Sequence, residues 1–217
     1  MIRNPDLQIG ARSKILSSIA TIHREIRIFL TPTPKGKKWI FVIGCYNSGT
    51  TLLSELLGKH PSISALPDEG QYFTDQLPTD REFGLPRMWT AREELFRIDE
   101  TCTGINKDRL TKEWAMRLDK KKAVFLEKTP LNCARMRWLD CAFENAYFVG
   151  IVRNGLAVAS GIRTKSNPAH LEGGWPIEMA ARQWARSNQI MFEDGQKVKH
   201  FTWLRYEDLI DNPEKEI

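Results

Sequence analysis

No apolar run in this chain approaches the roughly 18–20 residues that a membrane-spanning helix needs, so no transmembrane segment is expected. The first residues contain no continuous apolar core of a secretory signal, which makes the cytoplasm the expected location. The four cysteines, Cys45, Cys102, Cys133 and Cys141, form no Cys-x-x-Cys pair and no metal-ligand grouping with histidine. They are expected to be free thiols, mostly buried, in a reducing compartment. Charge of one sign is also scarce. Lys and Arg number 32 against 27 Asp and Glu, a net charge of +5. That balance suits an anionic ligand, and with no basic patch it argues against nucleic acid as a partner. Internal repeats and low-complexity tracts are missing too. What is present is ordinary for one globular domain with a sizeable core: 217 residues, 41% hydrophobic, with seven tryptophans spread from Trp39 to Trp203.

The chain is organised around residues 39–58. Trp39 to Ile43 is an apolar, β-prone run of strand length. It leads into Gly44-Cys45-Tyr46-Asn47-Ser48-Gly49-Thr50-Thr51, and then into Leu52, Leu53, Leu56 and Leu57 at helical spacing. Strand, glycine-bounded turn and helix in that order cradle an anion, because backbone N–H groups and the positive end of the helix dipole converge there. The spacing is that of the pattern G-x-x-x-x-G-K-[ST], with Thr50 in place of the lysine. That lysine normally reaches the β- and γ-phosphates of a nucleoside triphosphate, so ordinary ATP chemistry loses its main cationic contact. A phosphate can still sit on the N–H groups and on the hydroxyls of Ser48, Thr50 and Thr51.

Before this segment, residues 13–30 read as an amphipathic helix with Ser13 as its candidate cap and Ile15, Leu16, Ile19, Ile22, Ile26 and Phe29 on one face. Lys14, Arg24 and Arg27 make it somewhat basic. A membrane-surface role competes with packing on the domain or on a partner chain, and the packed reading is the expectation. Thr31 to Lys38 is a linker by its proline and glycine content, which divides the chain into residues 1–36 and a main domain over 37–217. Downstream, strands are expected at Ser62–Leu66, Ala123–Leu126, Ala146–Val152 and Val198–Leu204. Helices are expected within 90–121, over Leu131–Phe143, from Leu156, and from Pro176, with Ala180, Ala181, Trp184, Met191 and Phe192 sharing a face and Asp194-Gly195 closing it. The alternation argues for an α/β fold: a P-loop-like three-layer arrangement, with a central parallel sheet and helices on both faces.

Ligands of such sheets bind beyond the carboxyl ends of the strands. There the sequence places the Gly44–Thr51 turn, Asp68 and Glu69, Lys128, Arg153, and Arg205-Tyr206-Glu207. Singly, each charge reads as a solvated or structural residue. Their conjunction is what points to a site. The residues also resemble the sulfotransferase family. Ile40-Phe-Val-Ile-Gly44 with Ser48-Gly-Thr-Thr-Leu-Leu53 resembles its 5′-phosphosulfate loop. Val149-Gly-Ile-Val-Arg153-Asn154-Gly155 resembles its 3′-phosphate motif, Glu127-Lys-Thr-Pro130 its lysine element, and Leu204-Arg-Tyr-Glu-Asp-Leu209 its Tyr-Glu-Asp-Leu segment. The bacterial and tyrosylprotein enzymes are the nearest in look.

The resemblance implies 3′-phosphoadenosine-5′-phosphosulfate (PAPS) as donor, no metal, and a small-molecule, glycan or peptide acceptor whose identity the sequence does not name. It implies that Asn47, Ser48, Gly49, Thr50, Thr51 and Leu52 hold the 5′-phosphate, with Arg153 and Ser160 at the 3′-phosphate and Tyr206 at the adenine. Lys128 would neutralise charge on the breaking bond, and Glu69, in preference to its neighbour Asp68, would be the general base. Three departures stand out. Asn47 replaces a lysine or arginine common before Ser-Gly-Thr-Thr. Gly161 stands where a 3′-phosphate serine is usual, with Ser160 just before it. The chain also ends where related enzymes continue, as in a truncated domain. The competing readings are a P-loop kinase of a small molecule and a non-catalytic nucleotide-binding protein on the same scaffold.

Overall fold

A computed structural model describes residues 5–166 and 171–217, with side chains from residue 18 onward. In chain order the elements are helix α1 (Pro5–Leu30), strand β1 (Lys38–Gly44), α2 (Thr50–Gly58), β2 (Ile63–Ala65), α3 (Lys107–Ala115), β3 (Val124–Lys128), α4 (Met136–Ala142), β4 (Ala146–Val152), α5 (Gly155–Lys165), α6 (Ile177–Gly195), β5 (Phe201–Arg205), α7 (Tyr206–Asp211) and α8 (Pro213–Glu216). Short 3₁₀ segments lie at Gly70–Phe73, Trp89–Leu95 and Pro130–Ala134. The strands form one five-stranded sheet in the order β2-β3-β1-β4-β5, with every adjacent pair parallel. The chain leaves β1 towards one edge, returns through β3, and then builds the other side through β4 and β5. A crevice therefore opens at the carboxyl end of β1, where ligands of such sheets bind.

β1 is the axis of the core because both its faces are covered. Period-two alternation sends Trp39, Phe41 and Ile43 into a large cluster with Phe125, Phe148, Trp114 and Phe143. Trp39 and Phe41 meet these rings at centroid separations of 4.9–6.4 Å, within the range of favourable aromatic contacts. Residues of α4, α5 and α6 complete that face. Val42 turns to the opposite side and packs with Leu53 of α2, Leu126, Ile151, Leu204 and Leu209 of α7. Helices thus lie on both faces of the sheet, as the alternation of elements predicts.

Several local expectations are corrected. α1 begins at Pro5, so Ser13 lies within the helix and not at its N-terminus. The side chains of Lys14, Ile15 and Leu16 fall outside the described residues. Ile19, Ile22, Ile26 and Phe29 are exposed rather than packed on the domain, Phe29 by 82%. The side of α1 that faces the domain carries Arg24 and the buried Ile28 instead. Arg24 reaches Asp75 at 3.1 Å and the fully buried Glu113 at 2.6 Å. The 131–143 stretch breaks at Arg135 (φ −129°, ψ 6°), where the chain leaves helical geometry as it buries a guanidinium that donates to the Pro78 carbonyl. Ala181 is exposed, because the buried face of α6 runs through Ala180, Gln183, Ser187 and Ile190. Cys45 and Cys133 are buried, Cys141 is exposed, and all four thiols are free. No helix among the described residues is long and apolar enough to cross a membrane.

Candidate active site

The turn after β1 needs its two glycines for different reasons. A Cβ on Gly44 would lie 2.5 Å from the Ile151 carbonyl oxygen, so only glycine lets β1 run this close to β4. Gly49 has φ 102°, and a Cβ there would lie 2.4 Å from the Tyr206 ring. The first helical bond of α2 runs from Leu53 N–H to the Gly49 carbonyl at 3.1 Å. The N–H groups of Gly49, Thr50, Thr51 and Leu52 therefore have no acceptor within the helix. Inside the turn, the Ser48 hydroxyl and the Asn47 Nδ2 are buried without a hydrogen-bond partner among the described residues. The arrangement can hold an anion by main-chain and neutral side-chain donors.

On the β4 side, Arg153 donates from Nη1 to the Asn47 carbonyl at 3.2 Å and stacks 4.2 Å from the Tyr206 ring centre. Its own carbonyl accepts from Trp184 Nε1 at 3.0 Å. Asn154 caps α5, accepting from Leu156 and Ala157, while its N–H donates to Glu207 at 2.8 Å. These bonds lace the ends of β4 and β5 together and fix the guanidinium beside the turn.

On the β3 side stands Glu69. Its carboxylate lies 3.7 Å from the Lys128 ammonium and accepts from Gln71 Nε2 at 2.8 Å. Asp68 is 4.0 Å from the same ammonium but is largely exposed, whereas Glu69 is only 12% exposed. Burial is the main reason that the Glu69 carboxyl is pushed up to about 7. Lys128 pulls it back down, while Asp80, Glu127 and Asp68 push in the same direction as burial.

Between these walls lies a cleft of about 270 Å³, lined by Asn47, Gly49, Thr50, Thr51, Leu52, Glu69, Arg153 and Tyr206 among others. The structure thus gathers most of the residues that the sequence singles out. Lys128 lines an adjoining hollow with Thr51 and Asp68, and touches the cleft through Glu69. Ser160 lies on the exposed side of α5, outside the lining. A Cβ on Gly161 would press to 3.2 Å from the Asn47 side chain, so glycine there lets α5 pack against the turn. Among the described residues, no group of three or more His, Cys, Asp or Glu side chains is placed to hold a metal ion.

A model of the sulfotransferase family matches residues 40–217, most of the chain. The chain belongs to that family. The fold of this sulfotransferase-family protein is similar to the crystal structure of sulfotransferase STF9 from Mycobacterium avium, with a TM-score of 0.56 and 15% identity over 89% of this chain and 64% of that one. The sulfotransferase from Alicyclobacillus acidocaldarius is similar at a TM-score of 0.50 and 15% identity, over 83% and 77% of the two chains. Sulfotransferase STF1 from Mycobacterium tuberculosis H37Rv gives a TM-score of 0.50 and 17% identity, over 84% and 66%. The chain spans just under two thirds of the length of the two mycobacterial structures. A comparison with curated proteins found no match.

In and around the sulfotransferase-family cleft stand residues to which sequence reasoning gave no role. Gly70, next to Glu69, donates its N–H to the fully buried Glu127 at 2.8 Å and accepts from Trp114 Nε1 at 2.9 Å. A Cβ on Gly70 would sit 2.7 Å from the Glu127 carboxylate. Thr129 and Asn132 also donate to Glu127, leaving it well supplied with partners. The available signal was the alternation of β3, which puts Glu127 on the same buried face as Phe125. Arg87 and Lys165 line the cleft as well, and neither belongs to a motif.

Proposed function

We propose that this protein transfers a sulfuryl group from PAPS to a hydroxyl or amine of a small-molecule, glycan or peptide acceptor. The observation that supports this reading best is a pairing at one cleft. A lysine-free anion cradle faces a buried carboxylate whose proton affinity suits a base near neutral pH. The donor supplies a sulfuryl group already activated by a phosphate leaving group. The residues fit such a donor, since the Ser48 hydroxyl and Asn47 Nδ2 are buried donors without a partner beside the free N–H groups of Gly49 to Leu52.

In this reading Asn47, Ser48, Gly49, Thr50, Thr51 and Leu52 hold the 5′-phosphate. Arg153 keeps N–H groups beyond the one given to Asn47, and these bind the 3′-phosphate, with Ser160 at its outer edge. Tyr206 offers a ring face to the adenine. Glu69 takes the acceptor's proton as the new bond to sulfur forms. The sulfur–oxygen bond to phosphate breaks, and its electron pair leaves with adenosine 3′,5′-bisphosphate. Lys128, held against Glu69, offsets the negative charge that builds up on the transferring group.

Calorimetry tests the reading. Adenosine 3′,5′-bisphosphate is expected to bind without magnesium, and Mg·ATP is expected not to displace it. The opposite order would replace this reading with a kinase. Lys128→Ala is expected to lower kcat by about 10²–10³ with donor affinity nearly unchanged. Arg153→Ala is expected to weaken bisphosphate binding by roughly tenfold or more, with the smaller effect on turnover. Small and equal effects of both substitutions would remove these assignments.

A further inference from the structure

We propose that Arg87 is a further catalytic residue, whose guanidinium contacts the oxygens of the sulfuryl group in the reaction proposed above, a reading on which this inference rests. Arg87 lines the same cleft as the turn and Glu69. Its Nη1 is buried and has no hydrogen-bond partner among the described residues. A guanidinium nitrogen removed from water and left unbonded is costly to keep, and an anion entering the cleft would relieve that cost.

The backbone points the same way. Arg87 has φ 65°, a left-handed conformation that a residue with a side chain adopts only when its surroundings hold it there. The hold is Asp80, a buried carboxylate that accepts from the Arg87 N–H at 2.6 Å. Asp80 takes only the main-chain N–H: its other carboxylate oxygen, like Arg87 Nη1, is buried without a hydrogen-bond partner among the described residues, so the clamp fixes the backbone and does not tie up the guanidinium. Among the described non-glycine residues, Asn47 alone shares this conformation, also at φ 65°, and it lines the same cleft.

The other cations there are already engaged or turned to solvent. Lys128 stands against Glu69 and Asp68, Arg153 is bound to the Asn47 carbonyl and stacked on Tyr206, and Lys165 is exposed at the end of α5. Asn47 contributes an amide but no charge at the mouth of the turn. Arg87 is therefore a second cation, lining the cleft itself, that joins Lys128 in meeting charge that develops between the turn and Glu69. As the acceptor oxygen bonds to sulfur and the sulfur–phosphate oxygen bond breaks, the guanidinium fork binds the equatorial oxygens, while the proton passes to Glu69.

The test compares Arg87→Gln, Arg87→Lys, Asn47→Lys and the double variant Arg87→Gln/Asn47→Lys with the unaltered protein. Calorimetry reads affinity for PAPS and for adenosine 3′,5′-bisphosphate, which has no sulfuryl group, and single-turnover transfer to a phenolic probe, 4-nitrophenol, reads the rate. Arg87→Gln is expected to lower the transfer rate by about 10²-fold, to weaken PAPS severalfold, and to leave bisphosphate affinity unchanged. Asn47→Lys is expected to raise the rate by a larger factor in that background than in the unaltered protein, which a merely structural role for Arg87 would not allow. Arg87→Lys should fall between the two. An unchanged rate with only a raised acceptor KM, an equal loss of affinity for both nucleotides, or no larger gain from Asn47→Lys in the Arg87→Gln background than in the unaltered protein would overturn the assignment. An unaltered protein that binds neither nucleotide would overturn the sulfuryl-transfer reading itself and the inference with it. An active protein indifferent to Arg87 would overturn the inference alone.

Discussion

Glu69 is under opposing influences, and their balance sets how it titrates. Burial disfavours its charged form, Lys128 at 3.7 Å favours it, and the carboxyl settles at about 7. A base must be deprotonated to act, so transfer is expected to rise with pH through a midpoint near 7, and Glu69→Gln is expected to lose about 10²–10⁴ of the rate. A pH–rate profile that is flat from pH 6 to 8 would contradict this role. Stability carries the opposite sign. The native state holds this proton more tightly than the unfolded chain does, so between the ordinary carboxylate range and about 7 the native state binds more protons. Stability is therefore expected to fall as pH rises through that window, by on the order of 2–3 kcal/mol from this residue alone. Denaturant unfolding of the unaltered protein and of Glu69→Gln at pH 5 and pH 8 measures it, and the variant should show the shallower decline. Asp68, one position away, has no such environment because it is mostly exposed. Adjacent carboxylates look alike in a sequence; only the packing around them separates their environments.

At the scale of elements, β3 shows how alternation positions chemistry. Glu127 and Lys128 are consecutive and so leave opposite faces of the strand. Glu127 grips Gly70 from the aromatic side while Lys128 meets Glu69 from the other, and the 68–70 loop is pinned over the strand end. α1 follows a different rule. Its apolar stripe, with Ile22 and Phe29, is not packed on the domain, and the helix meets the domain through ion pairs and the buried Ile28. Arg109 of α3 binds Glu25 at 2.7 Å, Asp75 at 2.8 Å and Glu113 at 3.3 Å, and Glu113 is fully buried. Arg109→Ala is expected to cost about 1–3 kcal/mol, since it leaves a buried carboxylate with Arg24 as its remaining cation. It should also loosen α1, read as faster proteolysis within the 31–36 linker with little change in nucleotide affinity. Isolated exposed ion pairs would give well under 1 kcal/mol, so a loss that small would show the network to be dispensable.

For the whole molecule, the strand order places the turn, Lys128 and Arg153 at the ends of three neighbouring strands, β1, β3 and β4. The cleft therefore depends on how well β1 is seated. Phe41 is fully buried at the centre of the aromatic cluster, so Phe41→Ala is expected to cost about 3–5 kcal/mol. For a chain of this size that corresponds to a drop in Tm of roughly 2–4 °C per kcal/mol. Bisphosphate affinity should fall too, although Phe41 touches no ligand, because the turn continues directly from β1. A variant that melts earlier but binds with full affinity would show that the turn holds its shape independently of the core.

How much was legible in advance follows from the range of the forces involved. The apolar run of β1, the glycines of the turn, the leucines of α2 and the Arg-Asn-Gly after β4 are local patterns, governed by backbone sterics and hydrophobic periodicity, and so the parallel α/β fold and most residues of the cleft could be read from the chain itself. The alternation of strands and helices also determined that these strand ends would share one edge. Tertiary structure decided the rest: that Glu69 is buried and Asp68 is not, that Glu127 and Trp114 hold Gly70 from residues far along the chain, that Ser160 faces outward, that α1 is oriented by Arg24 and Arg109, and that Arg87 enters the cleft. Desolvation and ion pairing depend on neighbours brought from distant positions, and no local pattern encodes which charges end up facing one another.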